Sequence, residues 1–267
     1  MNSPKKGQNP QGRIQIHKMC VAADSILDNI FAASDKEKAC EFFEEAKRVA
    51  KEMRESGNES NVEVEVRFGK LEKNGRFIPG VSLSRFRFLC EWLDQSIATQ
   101  YATKWNDSVV TQSETRRMET THSATKFYRK EQLRSVVFCS NQGVAFRFAI
   151  SIETPVQEDE YKNSFEKTTP STTRLRQRKQ FFVDAENGAY KRAFSVDFTL
   201  VWQAGSERGA RELQRKGLDT RREIEVELHD AKYLSDKSSA YLAASFCGKL
   251  GSFFSLETDN FRMQVVR

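Results

Sequence analysis

Val62-Glu63-Val64-Glu65-Val66-Arg67-Phe68 alternates without a break. One face carries Val62, Val64, Val66 and Phe68, the other Glu63, Glu65 and Arg67. A strict period of two over this length predicts a half-buried strand. Side chains at i and i+2 share a face and lie roughly 7 Å apart, so the strand presents carboxylates in a row. Arg222 to Leu228 repeats the arrangement, with Ile224, Val226 and Leu228 against Glu223, Glu225 and Glu227. Like charges so close repel unless solvent or a cation intervenes. The outer face of an ordinary antiparallel sheet is one explanation. A solvated face usually mixes Lys, Thr and Ser with Glu. Three glutamates and no Lys on one face suggest a site for a hard divalent cation, Mg²⁺ or Mn²⁺.

Other strands show the same division with the opposite sign. Arg174, Arg176 and Arg178 fall on one face of the stretch from Arg174 to Phe182. Phe146, Phe148, Ile150 and Ile152 oppose Arg147, Ala149, Ser151 and Glu153. Phe194, Val196, Phe198 and Leu200 oppose Ser195, Asp197 and Thr199. Weaker strands are expected over Ser108 to Met118, Thr125 to Lys130 and Val136 to Cys139. Several strands with one apolar and one ionic face fit a barrel whose inside is polar and whose outside is covered by helices. A lumen with glutamates on one side and guanidinium groups on another suits a metal beside a polyphosphate.

The flanking segments supply such helices. Ile26, Ile30 and Phe31 recur at helix spacing, Asp35 is the expected N-cap, and Ala39, Phe42, Phe43, Ala46, Val49 and Ala50 form an apolar stripe that Gly57 ends. Helices are also expected over Arg85 to Ile97 and Asp230 to Leu250. Pro79-Gly80 marks a turn. Glu158 to Thr173, polar and containing Pro170, reads as a mobile insertion loop. Gly75 to Gly80 has glycines at the interval of a phosphate-binding loop, but Val81 replaces the lysine, so it reads as a hairpin.

Composition narrows the classes. The 267 residues include 43 Lys+Arg and 37 Asp+Glu, a net charge of +6. That balance leans only mildly toward an anionic partner. No run of about 18 apolar residues occurs, so no membrane helix is expected. The 20 Phe, 6 Tyr and 3 Trp can build a core. Five cysteines without C-x-x-C spacing read as reduced thiols rather than a disulfide frame or zinc site. The first residues carry lysines but no apolar stretch, so no secretory signal is expected.

The two glutamate strands resemble the paired motifs of the triphosphate tunnel metalloenzymes. The closer resemblance is to the metal-dependent RNA 5′-triphosphatases that begin mRNA capping in fungi, protozoa and some large DNA viruses. It covers roughly residues 60 to 230. Each Glu-x-Glu alone is weak, but their order, spacing and intervening Arg strand are together specific. The resemblance implies an α+β fold: an eight-stranded antiparallel β-barrel, the triphosphate tunnel, with a polar interior and flanking α-helices. Residues 1–23 would form a flexible basic tail and 24–267 a single catalytic domain. Glu63, Glu65 and Glu227 match the family's metal ligands, with Mg²⁺ or Mn²⁺ as cofactor. Glu225 matches a glutamate that helps orient water, and Glu223 precedes it on that face. Glu153, in Phe148 to Val156 with its Glu-Thr-Pro-Val end, is the candidate to activate the attacking water. Arg147, Arg176 and Arg178 match phosphate-binding positions, with Lys130 and Arg117 as matches on weaker strands. Asp197 matches the aspartate of an Arg-x-Asp strand, but Ser195 stands where the arginine would be. Lys191 or Arg192 could replace it, or the position could be dispensable.

The resemblance implies removal of the γ-phosphate from triphosphate-ended RNA, with nucleoside triphosphates as further substrates when Mn²⁺ is present. A nuclear monomer is expected, with any guanylyltransferase a separate chain, because no Lys-x-Asp-Gly motif occurs. Three readings compete. An inorganic triphosphatase, thiamine-triphosphatase-like enzyme or polyphosphate polymerase would share the strands, but typically with a first motif Glu-x-Glu-x-Lys near the N-terminus. A non-catalytic RNA-binding module would use the basic balance and aromatics. A purely structural sheet would leave its ionic faces in solvent.

Overall fold

Alternating sequences can close a sheet only if the ring consumes every edge, and here it does. In the computed structural model residues 28, 30–57, 61–97, 101–141, 143–165, 172–185, 188–255 and 263–265 are described. The elements run α1 (Ala33–Glu55), β1 (Asn61–Leu71), β2 (Phe77–Pro79), α2 (Leu83–Ser96), β3 (Asn106–Ser113), β4 (Arg116–Thr121), β5 (Thr125–Ser140) and β6 (Ala145–Pro155). They continue with α3 (Glu158–Phe165), β7 (Thr172–Ala185), β8 (Tyr190–Ala204), α4 (Glu207–Lys216), β9 (Arg221–Leu228), α5 (Ala231–Asp236), α6 (Ser239–Ser255) and β10 (Met263–Val265). Strands β1, β6, β5, β4, β3, β7, β8 and β9 pair in that order, all antiparallel, and β9 pairs again with β1. The result is a closed eight-stranded barrel. Strands β2 and β10 extend it at β1 and β5.

The barrel turns its apolar faces outward. Val64, Val66 and Phe68 of β1, Phe146, Phe148 and Ile150 of β6, Phe194, Val196 and Phe198 of β8, and Ile224, Val226 and Leu228 of β9 are buried in one cluster. The same cluster contains Phe42, Phe43 and Ala46 of α1, Phe86 and Leu89 of α2, and Leu242, Phe246 and Leu250 of α6. Edge-to-face rings join the layers: Phe42 to Phe148 at 5.7 Å and Phe194 to Phe246 at 5.2 Å. A smaller cluster of Leu175, Trp202 and Ala210 seats α4 on β7 and β8. The core is thus a shell between barrel and helices, which leaves the lumen to polar groups. None of the described helices is long and apolar enough to cross a membrane.

Several local expectations are corrected. Asp35 does not cap α1; Ala32 holds that position without a side-chain bond, and Asp35 lies buried in the first turn. Ser108 to Met118 is two strands, because Glu114 at φ 50° turns the chain between β3 and β4. Thr125 to Lys130 and Val136 to Cys139 are one strand whose register shifts between Gln132 and Arg134, which hides the alternation from the sequence. Glu158 to Phe165 is helix α3, not loop; its first turn of Glu158, Asp159 and Glu160 complements the helix dipole. Gly75, at φ 80°, sits in the hairpin between β1 and β2. Residues 1–23 and Ile26 lie outside the described residues, as does Pro170.

Candidate active site

Inward residues of the strands meet in the lumen. Across β1 and β9, Glu65 faces Glu227 and Arg67 faces Glu225. Across β1 and β6, Arg67 faces Arg147 and Asn61 faces Glu153. Glu153 in turn faces Lys130 of β5. Ser195, Asp197 and Thr199 of β8 face Glu227, Glu225 and Glu223. With Arg117 and Glu119 of β4, Tyr128 of β5 and the arginines of β7, these residues surround a cavity of about 450 Å³. Glu63, Arg117, Lys130, Glu153, Arg176, Arg178, Glu223, Glu225 and Glu227 line it directly. Glu65 and Asp197 are tied to this lining by ion pairs with Arg67 and Arg178, and Arg147 pairs in turn with Glu65.

Those pairs form a web. Arg67 Nε lies 3.0 Å from Glu65 Oε1 and 3.0 Å from Glu225 Oε1. Arg174 Nη2 donates to both oxygens of Glu223 at 2.8 Å, and Arg221 lies 3.5 Å away. Arg178 reaches Asp197 at 3.2 Å and Glu225 at 3.9 Å, while Arg176 pairs with Glu119. Lys130 pairs with Glu63 and lies 3.2 Å from Glu153 and 3.9 Å from Glu65. Arg147 is 4.0 Å from Glu65, and its guanidinium stands 5.3 Å from the centre of the Phe77 ring.

The carboxylates divide electrostatically. Burial raises Glu65, but Arg67, Lys130 and Arg147 outweigh it and hold its pKa at about 2. Glu63 is pushed up to about 7, first by burial and then by the charge of Glu65. Glu227 is pushed well up by burial, then by Glu63 and Asp197. Glu63, whose ion-pair partner is Lys130, and Glu227, 3.4 Å from His229, are therefore half-buried acids with less positive charge around them than Glu65. The guanidinium groups show the converse deficit. Arg117, Arg147, Arg174 and Arg178 each bury an Nε with no hydrogen-bond partner among the described residues. Unmet buried donors of this kind suit anionic oxygens.

No three acidic, His or Cys side chains among the described residues form a ready-made metal cage, and the Lys130 ammonium sits between Glu63 and Glu153. The donor set nevertheless fits a hard cation. Glu65 and Glu227 are direct cross-strand neighbours, Glu63 is two residues along the same face, and a divalent ion would offset the desolvation and repulsion that raise Glu63 and Glu227.

At the Ser195 position no arginine substitutes. Lys191 and Arg192 are exposed at the start of β8, and Arg192, at φ 53°, stacks over Phe182 at 5.2 Å. Ser195 instead donates to Asp197 Oδ1 at 2.6 Å, and its oxygen lies 2.8 Å from His229 Nε2. His229 Nδ1 is 3.4 Å from Glu227, and burial lowers its pKa. Six residues of the web have no role assigned from sequence: Arg67, Arg174, Arg221, Glu119, Tyr128 and His229. The first two share the period of the ionic faces and were legible. Glu119 and Tyr128 sit on strands whose alternation is interrupted, and His229 follows the last strand with no periodic signal.

No family model matches the chain, and no curated protein matches it in sequence. Its fold does match solved structures. The S. pombe Pct1 RNA triphosphatase, solved in complex with the Spt5 CTD, superposes with a TM-score of 0.52 at 17% identity over 79% of this chain and 89% of that one. The Mimivirus capping enzyme triphosphatase gives 0.53 at 14% identity over 86% and 100%. Its monoclinic form gives 0.51 at 12% identity over 85% and 98%. This chain therefore has the eight-stranded antiparallel tunnel fold of these RNA triphosphatases.

Proposed function

We propose that the chain is a metal-dependent RNA 5′-triphosphatase that removes the γ-phosphate from nascent RNA, the first step of cap formation. The observation that carries this reading is the division of the lumen: half-buried carboxylates that repel one another and lack a second cation stand beside guanidinium groups that each bury an Nε without an acceptor. A triphosphate with its cation supplies both. The RNA triphosphatases that share the fold support the substrate class.

Glu63, Glu65 and Glu227 would hold Mg²⁺ or Mn²⁺, which would polarise the γ-phosphate as a Lewis acid. Arg147, Arg176 and Arg178, with Arg117 and Lys130, neutralise the phosphate oxygens as charge builds on them. Arg67 fixes Glu65 and Glu225 from between them. Arg174 takes both oxygens of Glu223, so Glu223 positions that guanidinium in the cavity wall. Glu153, its side chain 34% exposed at the mouth, orients water. Glu225, the other glutamate expected in that role, lies deeper at the level of Arg67 and fixes Arg67 and Arg178 there. The water oxygen bonds to the γ-phosphorus, the β–γ bridging bond breaks, and diphosphate-ended RNA leaves with inorganic phosphate. Free nucleoside triphosphates fit the same groups, with Mn²⁺ as the favoured ion. Guanylyl transfer and a nuclear location belong to this reading, the former on a separate chain.

A substrate panel tests it. γ-labelled triphosphate-ended RNA, inorganic triphosphate and thiamine triphosphate are compared at matched cation. The RNA is expected to give the highest kcat/KM. Preference for inorganic triphosphate would transfer the chain to the inorganic branch of the same fold.

A further inference from the structure

We propose that the RNA strand leaves the tunnel at the end away from Glu153 and lies in a separate basic cavity on the rim there. The proposal rests on the triphosphatase reading above and adds the path of the polymer. In-line displacement puts the attacking water and the leaving oxygen on opposite sides of phosphorus. Glu153 sits opposite Asn61 at one end of β1, and Ala145 sits opposite Gly69 at the other. Those ends are about 26 Å apart at the rise of an extended strand. With water at Glu153, the leaving diphosphate points toward Gly69.

Cations outnumber anions at the Gly69 end: Glu225 faces Arg67 there, and Glu223 beyond it is held by Arg174 and Arg221. Arg67 and Arg147 face each other two positions inside it. Beyond them Arg221, 3.5 Å from Glu223 in the lumen, also lines a second cavity of about 790 Å³. That cavity is walled by Lys70, Arg85, Arg221 and Arg222, and no Asp or Glu is among the described residues lining it. Phe88, 44% exposed, faces the same space. Cations that follow a backbone beside an aromatic face on which a base can stack are the elements of single-strand binding. Gly80 keeps the rim open: at φ 123°, a Cβ there would meet Arg221 Cγ at 3.2 Å and the Arg222 carbonyl oxygen at 3.4 Å.

The test compares a triphosphate-ended 20-mer RNA with a free nucleoside triphosphate under one cation. The variants are Lys70→Glu with Arg222→Glu, and separately Phe88→Ala, each checked by thermal melting. The double reversal is expected to raise KM for RNA about tenfold and leave the nucleotide KM unchanged; Phe88→Ala shifts it the same way by less. Neutralising the pair with Lys70→Gln and Arg222→Gln should flatten the slope of log KM against log salt by about 1.4 for RNA alone. If RNA and nucleotide respond alike, or RNA does not respond, the strand does not lie there and the cavity serves an acidic protein or nothing. Failure of the underlying reading shows earlier, as wild-type protein that hydrolyses neither substrate, and takes this proposal with it.

Discussion

Glu63 and Glu65 stand two residues apart on one face of β1, yet one is held at about 7 and the other at about 2. The difference is company: Glu65 lies within ion-pair distance of Arg67, Arg147 and Lys130, whereas Glu63 pairs with Lys130 and also feels the charge of Glu65. It has a sign that can be measured. The folded protein keeps a proton on Glu63 up to about pH 7, whereas an unfolded glutamate loses it near the ordinary 4.5. Between those values the folded state binds more protons, so stability of the metal-free protein falls as pH rises. Melting temperature is expected to drop between pH 5 and 7.5 in the wild type and to stay flatter in Glu63→Gln. An identical profile in both would place the titration elsewhere. Lys249 behaves oppositely. It is half-buried on α6, its Nζ 3.9 Å from the Phe194 ring centre and 2.9 Å from Ser245 Oγ, and desolvation lowers it to about 7. The unfolded chain then binds the extra proton between about 7 and the ordinary 10.5, so stability rises with pH across that window. Lys249→Met should raise the melting temperature at pH 7 and remove the rise above it. The glutamate rows and Arg174, Arg176 and Arg178 were legible because the period of a strand places them on one face. Lys249 and His229 were not, since burial and partners across the chain decide what a single charged residue does.

At the scale of elements, the tunnel depends on how closely β2 lies on β1. Gly69 admits it: a Cβ there would meet the Ile78 carbonyl oxygen at 2.3 Å and the Phe77 ring at 2.6 Å. Gly69→Ala should destabilise by about 1–3 kcal/mol through that clash. It should also loosen Phe77 from Arg147, so KM for triphosphate rises with the lost stability; chemical denaturation and steady-state kinetics read the two effects. The strongly alternating strands β1, β6, β8 and β9 were legible because uninterrupted alternation needs no tertiary information. The sequence shows β5 as two pieces because its register shift moves residues from one face to the other. β3 and β4 look like one strand in sequence because their turn, Glu114-Thr115, lacks the glycine or proline that marks a hairpin.

For the whole molecule the organising fact is an inverted barrel, with its core outside and its charges within. A lumen of paired ions gains little from any one pair, because each charge is taken from water. Removing a shared partner is another matter. Arg67→Ala takes the nearest cation from both Glu65 and Glu225, leaving partners only at 3.9–4.0 Å, and about 3 kcal/mol of stability should be lost. Double-mutant analysis with Glu65→Ala should recover part of it; full additivity would show that the web is not shared. The polar-inside barrel followed from the sequence because apolar faces on several strands need helices, and α1, α2 and α6 carry matching stripes. Which cations meet which anions did not follow, since register across closed strands is set by the ring as a whole. The central claim is that the glutamates of β1 and β9 hold a cation for hydrolysis of a terminal phosphate. It is tested most directly by phosphate release from γ-labelled triphosphate-ended RNA as Mn²⁺ is titrated, with wild type and Glu63→Gln, Glu65→Gln and Glu227→Gln. Saturable, chelator-sensitive release that falls on the order of a hundredfold in each folded variant is expected. Release that persists in chelator, or near-wild-type rates in all three variants, would contradict it.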